Sequence, residues 1–99
     1  MDSVSYIDVM RLDVSDHAMW RAAERFPGFD VALIDREVRD AIKARRISHD
    51  RRVAGLTAGW SSTDDRFCWT EDGERVYAVR LYPERAAVMT TMRRRQEGA

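Results

Sequence analysis

The period of the chain changes near Arg66. From there to Tyr82 the residues follow a two-residue repeat, broken once by Asp72-Gly73. An Asp-Gly pair between such runs is a strong short-range hairpin signal, because aspartate and glycine tolerate the backbone angles of a tight turn. Residues 66–71 and 74–82 are therefore predicted strands. With Asp72-Gly73 as a two-residue turn, Glu71 faces Glu74, Trp69 faces Val76 and Phe67 faces Ala78. Phe67, Trp69, Val76, Ala78, Arg80 and Tyr82 then share one face. Cys68, Thr70, Tyr77, Val79 and Leu81 share the other. Both faces are substantially apolar, so each is expected to be at least partly covered. Pro83-Glu84-Arg85 reads as a second turn, 86–92 as a third strand and 93–99 as a basic, frayed tail.

The first half has helical spacing. Ser15 is a good N-cap and Asp16 suits the positive end of a helix dipole. Ala18, Met19, Ala22, Ala23 and Phe26 follow the spacing of a buried stripe, and Pro27-Gly28 ends the helix. Asp30 caps a second helix, predicted to reach about Arg46, with Phe29 as a hydrophobic staple. Val31, Ile34, Val38, Ala41 and Ile42 form its apolar side. Arg36, Arg39, Asp40 and Lys43 lie opposite, with Asp35 and Arg39 as an i,i+4 pair. Glu37 reads as part of the solvated face. Residues 5–12 are either a first strand or an irregular lead-in. Residues 49–63 read as a loop anchored by Val53, Leu56 and Trp60, with or without a short strand near 53–58. The whole is a single α+β domain: two N-terminal helices packed on a C-terminal antiparallel β-meander of three or four strands. Met19, Ala22, Ala23 and Phe26 are expected to pack on the sheet face that holds Phe67, Trp69, Val76 and Ala78.

Composition narrows the function classes. Seventeen basic and seventeen acidic residues give a formal charge of zero, so any nucleic-acid site must be a local patch. Sixteen of the basic residues are Arg, which a GC-rich genome explains simply, although Arg also suits phosphate. One cysteine, Cys68, excludes an internal disulfide and a cysteine zinc cluster. There is no apolar run of signal-peptide or membrane-spanning type, so a cytoplasmic protein without membrane contact is expected. Walker, dinucleotide-binding and nucleophile-elbow motifs are absent. No metal or other cofactor is expected.

The residues best suited to chemistry lie on the first helix. His17, Arg21 and Arg25 are each four apart and stack along its polar side, setting a titratable imidazole beside two permanent cations. This H-x3-R-x3-R helix, the second helix after it, and a meander ending in Val88-Met89-Thr90 resemble small proteins of the RelE/colicin-type (barnase-EndoU-colicin-RelE) ribonuclease superfamily. The likeness is closest to compact domains whose first helix reads H-A-x2-R-x3-R. It covers roughly residues 10–92. It implies a toxin-like, metal-independent endoribonuclease acting on RNA in the cytoplasm, held in check by a cognate inhibitor protein. His17 would be general base or acid, Arg21 and Arg25 would hold the phosphate, and Thr90 or Thr91 would bond it from the sheet. Trp20 or Tyr82 would stack on a base, and Arg80 would line the site.

Each residue also has a plain structural reading. His17 in a first turn can simply be solvated, and Arg21 can pair with Glu24. Arg25 can pair with Asp13 or Asp16. Trp20 can be a boundary packing residue, Arg80 an ion-paired or snorkelling side chain, and Thr90 and Thr91 ordinary strand formers. His49 beside Asp50, Arg51 and Arg52 reads as solvated. The alternative function is a non-catalytic protein-interaction or homodimerisation module on the same scaffold, such as a phage-encoded accessory protein. Zero net charge, the two-faced apolar hairpin and the tryptophans Trp60 and Trp69 favour it.

Overall fold

A computed structural model of the chain describes residues 11–26, 28, 30–56, 64–83 and 85–93. In order, the elements are β1 (Arg11–Val14), α1 (Asp16–Arg25), α2 (Val31–Lys43), β2 (Ile47–Ser48), β3 (Asp65–Trp69), β4 (Arg75–Leu81) and β5 (Arg85–Arg93). The class is α+β, with both helices packed against a five-stranded sheet of order β1-β5-β4-β3-β2. β3, β4 and β5 form the expected antiparallel meander, but the sheet has five strands and is mixed. β1 runs parallel to β5, Arg11 opposite Arg85 and Val14 opposite Val88, while β2 adds antiparallel to β3. Both extra strands are too short to show a two-residue period, and their partners are remote in sequence. Arg93, expected to begin the tail at 93–99, ends β5, and the rest of that tail lies outside the described residues, as do Phe29, Trp60 and most of the expected strand at 5–12.

The hairpin keeps its expected register: Phe67 opposite Ala78, Cys68 opposite Tyr77 and Trp69 opposite Val76. The turn is wider than two residues. Gly73 N–H donates to the Thr70 carbonyl at 2.9 Å, Thr70 N–H donates to the Arg75 carbonyl, and Gly73 takes a left-handed φ of 74°. The loop is thus 71–74, symmetric about the predicted centre, which is why the register survives. Asp72 stabilises it by accepting from Thr70 Oγ and from Glu74 N–H. These bonds, the Thr70 hydroxyl's first, hold the Asp72 carboxyl below the usual carboxylate range.

Both helix starts form as the caps predict. Ser15 Oγ accepts from Ala18 N–H at 3.0 Å, and Asp30 Oδ1 accepts from Leu33 N–H at 2.9 Å. α2 stops at Lys43, three residues short of the expected Arg46. Arg46 N–H reaches back to the Ala41 carbonyl and Arg45 N–H to the Ile42 carbonyl, the bond pair of a Schellman cap. Arg45 occupies the left-handed position of that cap at φ 62°, where glycine is usual. A non-glycine there carries no sequence signal for a stop.

The core sits between the helices and the face of the sheet bearing Cys68, Tyr77, Val79, Ala86 and Val88. Ala18 and Ala22 of α1 and Ile34, Val38, Ala41 and Ile42 of α2 close it. This is the opposite face from the one expected to receive α1. Phe67 and Val76 pack instead under Ala54, with Leu56, Trp69, Ala78 and Met92 around them, so the 51–56 segment covers the far face. Two members of the predicted stripes point outward: Ala23 and Val31 are exposed.

The choice of face is fixed where β1 turns into α1. Between Ala78/Thr90 and Val79/Val88 the β4–β5 register slips, leaving Met89 as the extra residue of a bulge. Ser15 fills the site, its N–H donating to the Val88 carbonyl and its Oγ to the Met89 carbonyl. Thr91 Oγ, fully buried, donates to the Ala18 carbonyl at 3.2 Å. The small side chains of Ala18 and Ala22 permit this close approach of helix to strand.

Candidate functional site

The outer side of α1 gathers three of the predicted site residues. Trp20 is 59% exposed, the most exposed large apolar side chain among the described residues. The Arg21 guanidinium lies over its ring, 4.9 Å from the centroid, and the His17 ring stands 6.2 Å away at a 40° tilt. Arg21 also pairs with Glu24 at 3.6 Å, the surface pairing that the plain reading anticipates. His17 is exposed. The result is an open aromatic platform edged by charge, not a cleft.

The remaining predicted site residues are elsewhere. Arg25 turns inward, and its Nη1 donates to the Thr91 carbonyl at 3.2 Å, so it bonds to the sheet and not to Asp13 or Asp16. Thr90 lies opposite Ala78 on the far face of the sheet, the reverse of Thr91, so the sheet separates it from α1. Arg80 and Tyr82 share that far face by alternation. Arg80 Nε bonds Asp65 at 2.8 Å, which raises the Arg80 pKa, and Arg85 stacks over Tyr82 at 4.5 Å. Arg85 in turn pairs with Asp13. Among the described residues no hydrogen bond or ion pair links His17 to another acid–base group. Among the described residues no group of His, Cys, Asp and Glu has the arrangement of a metal site.

A second feature was missed in the sequence. Glu37 is not solvated: its carboxylate accepts from Arg75 Nε at 3.1 Å and Nη2 at 2.6 Å, and from the Tyr77 hydroxyl. Arg75 and Tyr77 are buried. Phe26 caps the Arg75 guanidinium from one side, with Arg93 on the same ring. The Glu37 hydrogen bonds raise the Arg75 pKa, and burial together with Glu37 pushes the Tyr77 phenol above the usual tyrosine range. Two signals pointed to it. Glu37 is three residues from Ile34 and four from Ala41, within the buried side of α2, and Arg75 shares the parity of Tyr77 and Val79.

Beside this network a groove of about 490 Å³ runs between the second half of α2 and the hairpin, lined by Glu37, Asp40, Lys43, Arg46, Thr70 and Glu71. Its walls carry both signs. Arg46 is already committed, its Nε donating to the Trp69 carbonyl at 3.0 Å. Comparison with protein-family models, with curated proteins and with solved structures finds no match. Among the described residues no helix is long and apolar enough to cross a membrane.

Proposed function

We propose that the chain is a non-catalytic protein-interaction module whose contact centre is the outer side of α1. The observation that carries this reading is Trp20. A tryptophan that is more than half exposed, on a helix whose inner side is closely packed, is a large apolar surface presented from a fixed backbone. Trp and Arg are the residue types that most often dominate binding energy at protein interfaces. Arg21 stacked on Trp20 presents both together. The test is affinity capture on the immobilised full chain, identification of the bound protein, and titration of the two purified components. Trp20→Ala should weaken that binding about thirtyfold or more, the effect of a hot-spot truncation near 2 kcal/mol. A partner that binds Trp20→Ala as tightly as wild type, or no specific partner at all, overturns the reading.

The second reading, a toxin-like endoribonuclease on RNA, draws support from the adjacency of His17, Trp20 and Arg21 on one exposed surface. It would leave Thr90, Arg80 and Tyr82 without a part in the chemistry. Incubation with mixed RNA in EDTA separates the two readings. Cleavage by wild type that is lost in His17→Ala favours the nuclease, and no cleavage favours the module.

A further inference from the structure

Among the described residues β1 is an end strand of the sheet, and it alternates charged residues of opposite sign, Arg11 and Asp13, with the apolar Leu12 and Val14. Ser15 N–H donates to the Val88 carbonyl, so the odd-numbered residues of this strand turn their backbone groups toward β5. Leu12 and Val14 therefore turn their N–H and C=O groups outward. Such a row of outward amides is a template for another strand, and proteins commonly block it with charges. Charges of one sign would repel a second copy. β1 instead carries Arg11 and Asp13, two residues apart on one face and paired at 2.8 Å, with the Arg11 side chain 76% exposed.

We propose that a second copy of this chain pairs antiparallel along β1, about a two-fold axis through Leu12. Leu12 exchanges both backbone hydrogen bonds with Leu12 of the second copy. Arg11 then stands opposite Asp13 of the second copy, and Asp13 opposite its Arg11, in the close non-hydrogen-bonded positions where cross-strand side chains touch. Other registers fail for stated reasons. A slip of one residue sets an outward-bonding residue against an inward-bonding one, so no ladder forms. Moving the two-fold to Arg11 or to Asp13 keeps a ladder but sets like charges directly opposite each other, Arg11 against Arg11 or Asp13 against Asp13, in the close non-hydrogen-bonded positions. Leu12 and Val14 already pack on the core beneath the helices, so the pairing joins the apolar layers of the two copies. The interface is self-complementary, as a closed two-fold dimer requires. It does not use Trp20 and stands or falls separately from the function proposed above.

The test is sedimentation velocity of the full chain from low to high micromolar concentration, with hydrogen exchange at matched concentrations. Wild type should show a monomer–dimer equilibrium, with the Leu12 amide gaining protection as dimer forms. Arg11→Asp replaces two attractive contacts by two repulsive ones and should weaken association about tenfold or more. The swapped double variant Arg11→Asp/Asp13→Arg restores opposite charges at both positions and should recover most of it. A wild-type chain that stays monomeric overturns the proposal. So does a dimer that Arg11→Asp leaves intact, or one that forms without protecting Leu12. Arg11 is exposed, so loss of the fold does not confuse the result, and a thermal melt of each variant verifies this.

Discussion

Replacing Glu37 by glutamine keeps the shape of the side chain and removes the charge on which Arg75 and Tyr77 converge. The side chains of Arg75 and Glu37 are only 11% and 17% exposed, and the contact is bidentate at 3.1 and 2.6 Å. Removing one partner from a buried pair costs about 3–5 kcal/mol, because the other charge is left desolvated. Arg75 does have fallbacks in Asp72 at 3.5 Å and Glu74 at 3.8 Å. Both acids are half exposed, so each returns about 1 kcal/mol or less. Glutamine also still accepts one hydrogen bond. The expected cost of Glu37→Gln is therefore about 2–3 kcal/mol, which lowers Tm by roughly 10–20 °C in a domain of this size. Thermal and urea melts followed by circular dichroism read it directly. A Tm loss under about 4 °C refutes the reasoning, since it equates the pair with a surface salt bridge of about 1 kcal/mol or less.

The same network predicts an alkaline signature. Burial, then the Glu37 carboxylate, raises the Tyr77 pKa above its unfolded value of about 10. The fold thus favours the neutral phenol. That contribution is complete below pH about 10 and is lost as pH rises beyond it. Tyr77→Phe should cost about 1–2 kcal/mol near neutrality, for a hydrogen bond to a charged acceptor. It should also flatten the fall of stability above pH about 10. An identical alkaline slope in wild type and Tyr77→Phe would remove Tyr77 as its source.

Two further outcomes follow from the backbone and the core. Arg45→Gly should stabilise the protein by about 0.5–1 kcal/mol, because Arg45 holds the left-handed Schellman position at φ 62° without glycine's freedom; a lower urea midpoint would show that the arginine side chain outweighs the strain. Cys68 is fully buried and its thiol is pushed up to about 12, so an aromatic disulfide reagent should label it only as fast as the protein opens; rapid labelling of the native state would contradict its burial.

The sequence was most informative where structure is local. Ser15 and Asp30 cap helices, and the Asp72-Gly73 signal yields the correct register because that register depends only on where the loop is centred. It was least informative about which sheet face receives the helices. Both faces of the hairpin are apolar, with Phe67, Trp69 and Val76 on one and Cys68, Tyr77 and Val79 on the other, so side-chain pattern alone does not choose. The choice is made by Ser15 and Thr91, which tie α1 to a bulge at Met89 that no local pattern announces. Glu37 was misplaced for a related reason. A carboxylate within an apolar stripe reads as solvated until Arg75, 38 positions away, supplies its partner.

The His17/Arg21/Arg25 stripe shows how helix geometry divides one motif between two tasks. Four residues advance an α-helix by more than one turn, so each step of the stripe rotates about 40° around the axis. Over the two steps from His17 to Arg25 the drift is about 80°. That rotation separates a fully outward position from one at the helix–sheet boundary. His17 remains exposed, Arg21 stacks on Trp20, and Arg25 arrives where the Thr91 carbonyl accepts its guanidinium. Thr91 meanwhile uses its hydroxyl on Ala18, so one threonine binds α1 near both of its ends. Arg25 therefore acts as an anchor that fixes the rotation of α1. That rotation in turn sets the direction of Trp20, five residues earlier on the same rigid element.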